Sequence, residues 1–145
     1  MSSLLQNALI WHILLGLFGI CFFVAVLVGL TRANKSQKFL KISSLFGLLS
    51  FIGSWITGGY YYVVHYGNVV KPIIKEGAYP WAHNILMESK EHIFLFIPFL
   101  SAIVFLAIWL GKGRFNKPVG ALSFLIVIFG IAIALMGMAV SGAVR

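Results

Sequence analysis

The chain contains no aspartate and only three acidic residues, Glu76, Glu88 and Glu91. No Ser–His–Asp arrangement can form and no glycine-rich nucleotide loop is present, which argues against a hydrolase. Charged residues make up only 10% of the chain, where a soluble domain carries roughly a quarter. Cys21 is the one cysteine, so no disulfide can close within the chain. The C-x-x-C-H signature is also missing, which excludes covalent c-type haem attachment. Cys21 lies in an apolar run and reads as a small packing residue. The start, Met1-Ser2-Ser3-Leu4-Leu5, lacks the basic region of a cleaved signal peptide, so the first apolar run is expected to remain as a helix. The interrupted, symmetry-related helices of secondary transporters are not evident.

What the chain has in abundance is apolar length, with 61% of residues hydrophobic. Four apolar stretches approach or exceed the roughly 20 residues that a bilayer core requires. The expectation is all-α: an integral membrane four-helix transmembrane bundle in one domain, with helices at about 6–30, 39–65, 82–110 and 118–142. Proline inside the third span, Pro98, predicts a kink near Phe94. Pro118 is placed to open the fourth.

The formal net charge is +8. Arg32, Lys35, Lys38 and Lys41 follow the first span, and Lys112, Arg114 and Lys117 follow the third, with no acid among them. Basic loops of this kind stay in the cytoplasm. Both termini and an outer cap at about 66–90 are then expected on the non-cytoplasmic side of the cell's inner membrane. This use of the positive charge leaves no need for a nucleic-acid partner. The lipid bilayer is the partner the composition demands.

Function is expected to concentrate in the stretch Gly58–Pro98, which holds His65, His83 and His92, all three glutamates and all five tyrosines. Counting about 20 residues from each basic end places Trp11, Tyr61, Glu91 and Met138 at one depth, near the outer boundary. His12 and His92 share that level, with His65 and His83 higher. Intramembrane ionisable groups are costly and usually have a partner or a task.

Neutral imidazoles facing each other across an iron would hold a b-type haem, as would a histidine with a methionine. His12 with His92 is the first expected pair, on diagonal helices. His65 with His92 is the second, and His12 with Met136 or Met138 the third. Gly16 lies on the face of His12 and Gly58 on the face of His65. They permit close helix contact, and they also leave room for a flat macrocycle. A carboxylate from Glu88 or Glu91 beside His92 would fix its tautomer. Alternatively, His12, His65, His83, His92, Glu88 and Glu91 would bind zinc or copper directly. His83 and Met87, with Met136 and Met138, would suit copper(I). The bland alternative for each histidine is an interfacial side chain bonded to a carbonyl or water.

In helix count and histidine placement the whole chain resembles small bacterial membrane cytochromes of the b type. It departs from their two-haem pattern, because its histidines lie on one side only. That departure restricts the expected role to outer-face electron transfer, with a quinone or an outer-face redox protein as partner, or to haem sensing. Further alternatives are a homo-oligomer, or an accessory subunit of a larger membrane complex.

Overall fold

A computed structural model describes residues 2–34, 36–111 and 113–144. Four helices account for nearly all of them: α1 (Ser3–Thr31), α2 (Gln37–Glu76), α3 (Ala82–Gly111) and α4 (Asn116–Gly142). Each is long and apolar enough to cross a membrane. In the most apolar windows of α1 and α3 only 22% of residues are buried, so most of that surface needs lipid rather than water against it. The chain is a multi-pass membrane protein by this measure, and no strand occurs among the described residues.

Helices α1 and α3 each pack on α2 and α4, which sets α1 and α3 on the diagonal of an antiparallel bundle. The closest seam joins α1 to α2, where small residues bring the backbones together. A β-carbon on Gly19 would lie 2.7 Å from the Phe51 ring, and one on Gly47 would lie 2.7 Å from Phe23. Those two rings, both fully buried, stack with centroids 5.8 Å apart. The core continues through Val26, Leu40, Ile97, Val104 and Ile126. At the basic end Ser36 caps α2 by accepting from the Phe39 amide, and the Lys41 ammonium lies over the Trp109 ring at 5.2 Å.

The opposite end departs from expectation. The outer cap foreseen over 66–90 is mostly helix. Helix α2 does not stop near His65 but runs on to Glu76, through Gly67-Asn68 and Lys71-Pro72, where breaks are expected. It does so by widening to a π-helix over Tyr62–Val70. Asn68 turns its side-chain amide back to the Val63 carbonyl at 3.3 Å instead of opening a turn. Pro72 falls in the first turn of the α-helical segment Lys71–Glu76 that follows, where its missing N–H matters least. The chain reverses only over 77–81, where the Ala82 amide donates to Tyr79 and the His83 amide to Pro80. Helix α3 then begins as a second π-helical segment, Ala82–Met87. Asn84 lies inside this segment. The two π-helical segments sit in adjacent helices and share a small core of Tyr66, Ile74, Ala82, Met87 and Val140.

Candidate functional site

Below this hairpin the four helices part around a cavity of about 540 Å³. Its walls are mainly apolar, from Leu9, Trp55, Phe94 and Val140 among others. Its polar groups are His12, His65, Lys90, Glu91, Ser141 and the tyrosines Tyr61, Tyr62 and Tyr66. The volume is ordinary for a small-molecule or cofactor site.

His12 is held most firmly. Its Nδ1 lies 2.9 Å from the Ser54 carbonyl oxygen and 3.1 Å from the Ser54 hydroxyl. A carbonyl can only accept, so Nδ1 carries the proton. The Ser54 hydroxyl donates in return to the His12 carbonyl at 2.9 Å. The neutral ring therefore keeps its lone pair on Nε2. Gly58 makes this placement possible, because a β-carbon there would overlap Nδ1 and come within 2.6 Å of Cε1. Phe94 meets the ring edge-on, with centroids 5.5 Å apart. His65 stands seven residues past Gly58, about 10 Å of helical rise, with its ring tilted against Tyr61 at 5.5 Å. Two imidazoles at different heights thus border one cavity.

Two charged groups join them. The Lys90 ammonium lies over Gly137 of α4, 3.3 Å from where a β-carbon would stand. Glu91 turns inward too, and its Oε1 is buried with no hydrogen-bond partner.

The expected pairing of His12 with His92 is not assembled. His92 is exposed and lines a shallow groove with Asn84, Glu88 and Ser89 on the outer surface of α3. The same placement separates His65 from His92. Glu88 and His92 do share a face, as their spacing requires, but His92 Nδ1 donates to the Glu88 backbone carbonyl at 2.6 Å rather than to a carboxylate. Gly16 faces Ser54 in the α1–α2 seam, where an added β-carbon would lie 3.4 Å from the Ser54 hydroxyl, and is not part of the cavity wall. Met136 and Met138 are not on the wall either, and Met138 is exposed. The metal set of His12, His65, His83, His92, Glu88 and Glu91 does not converge. Among the described residues no three His, Cys, Asp or Glu side chains are placed to hold an ion. The physical reason is the face of α3: Glu91 points inward, while Glu88 and His92 point outward.

His83 does not line the cavity. It is buried, 1% exposed, in the hairpin core, with Nδ1 3.0 Å from the Tyr66 hydroxyl. Ser54 was visible only as a small residue on the Gly58 face. Its spacing of four from Gly58 was the available signal for a partner to His12.

Comparison with family models, with curated proteins and with solved structures finds no match to this chain.

Proposed function

We propose that the chain is a membrane-bound b-type haem protein, in which His12 and His65 would hold the haem in the cavity beneath the hairpin. The observation that carries this reading is His12. Its proton is committed to Ser54, so Nε2 is left as the ligating lone pair, in the manner of imidazoles whose second nitrogen is fixed by a carbonyl. The donor set fits in its other parts. His65 borders the same cavity, the walls are apolar, and Lys90 supplies a cation for a propionate. Haem bound there would exchange single electrons.

The chain's own residues then do three things. Ser54 and Gly58 orient His12. Phe94, Trp55 and Leu9 line the cavity and would keep water from the bound group. Lys90 neutralises a carboxylate at the membrane boundary. We infer from the basic loops that the hairpin end faces outward. A single redox centre at that boundary suits exchange with a quinol or an outer-face redox protein, alone or within a larger membrane complex.

The test is the absorption spectrum of the protein purified from haem-replete cells, or titrated with haem in detergent. One equivalent of haem is expected, with a Soret band and resolved α and β bands on reduction. A stoichiometric protein that shows no Soret band after titration overturns the reading.

A further inference from the structure

We propose that His83 and Met87 form a binding site for cuprous copper in the core of the hairpin. Nε2 of His83 is buried and has no hydrogen-bond partner. A polar nitrogen left this way costs about 1–3 kcal/mol, so a group that coordinates it is favoured. The other ring nitrogen is engaged by the Tyr66 hydroxyl at 3.0 Å, which fixes the ring's orientation as a ligating histidine requires. Met87 lies four residues on in the same π-helical segment and is buried in the same core. In that wider helix, residues four and five apart fall on one face. Both π-helical segments are concentrated here, and such segments are rare and recur at functional sites.

The ligand chemistry selects the ion. An imidazole nitrogen and a thioether sulfur are soft donors that suit copper(I) and give zinc too few hard ligands. Ile74, Ala82 and Val140 are apolar, and the Lys71 and Lys75 ammoniums also act on His83, so one added positive charge is favoured over two. Met87 and Tyr66 also reach the cavity wall, where Glu91 offers an unpartnered oxygen as counter-charge. The site does not depend on haem, because neither His12 nor His65 belongs to it.

The experiment is an anaerobic competition for copper(I) between the full-length protein in detergent and bicinchoninate, with ascorbate present and no haem. One equivalent is expected to leave the chelator, and X-ray absorption is expected to show both nitrogen and sulfur in the copper shell. His83→Gln and Met87→Leu should each weaken binding at least tenfold, and Tyr66→Phe about tenfold. His12→Ala should bind copper(I) as the wild type does, which separates this site from the haem site. No transfer from the chelator, a copper shell without sulfur, or variants equal to wild type would each overturn the proposal. So would displacement of the copper by an equal concentration of zinc. If His83→Gln does not fold, Met87→Leu and the wild-type copper shell still decide it.

Discussion

His12→Ala is expected to abolish the Soret band, whereas His92→Ala is expected to keep it. The contrast follows from where the two rings stand. His12 faces the cavity with its tautomer set by Ser54, while His92 is exposed on the far side of α3 and bonds its own helix. Alanine at 12 removes the ligand and one donor to the Ser54 carbonyl, while Thr57 still donates to that carbonyl and the Ser54 hydroxyl keeps the His12 main-chain carbonyl. The lost hydrogen bond is worth about 1 kcal/mol, which thermal unfolding in detergent will register. Alanine at 92 removes one exposed intrahelical bond and should shift stability by less than about 0.5 kcal/mol. Haem titration of both variants, with unfolding measured alongside, separates loss of ligand from loss of fold. A full Soret band in His12→Ala, or its loss in a folded His92→Ala, refutes the assignment.

Gly58→Ala should cost nearly as much haem binding as removing the histidine, although it leaves every proposed ligand in place. The added methyl overlaps the His12 ring at Nδ1 and Cε1, so the ring must swing away and release the Ser54 carbonyl. Overpacking of this kind costs about 1–3 kcal/mol. Gly59 supplies the control, since a β-carbon there meets nothing within 4 Å although the residue borders the same cavity. Gly59→Ala is expected to bind haem as the wild type does. Haem affinity that falls equally in both variants, or in neither, would show that the Gly58–His12 contact does not set the ligand.

The four spans were legible because they depend on composition and length. Depth counting put His12 near the outer boundary, level with Tyr61, whereas the structure sets its ring against Ser54 and Gly58. Facing was not legible. In a membrane bundle the lipid side and the core side are both apolar, so periodicity could not tell that His92 turns outward and Glu91 inward. Counting at 3.6 residues per turn failed for a second reason. The π-helical segments Tyr62–Val70 and Ala82–Met87 shift the register where the histidines lie. Gly67-Asn68 and Lys71-Pro72 look like breaks in an α-helix, but the wider helix carries Gly67-Asn68, and Pro72 falls in the first turn of the α-helical segment after it. That continuation buries His83 against Tyr66, where a loop would have left it at the membrane surface.

Electron paramagnetic resonance of the ferric haem-loaded protein, compared with His65→Ala, bears most directly on the proposed ligand pair. Two imidazoles on one iron give a low-spin signal, and loss of His65 should convert it to high spin while His12 retains the haem. A low-spin signal that survives His65→Ala, or one that turns high-spin in His92→Ala, would contradict the assignment of His12 and His65.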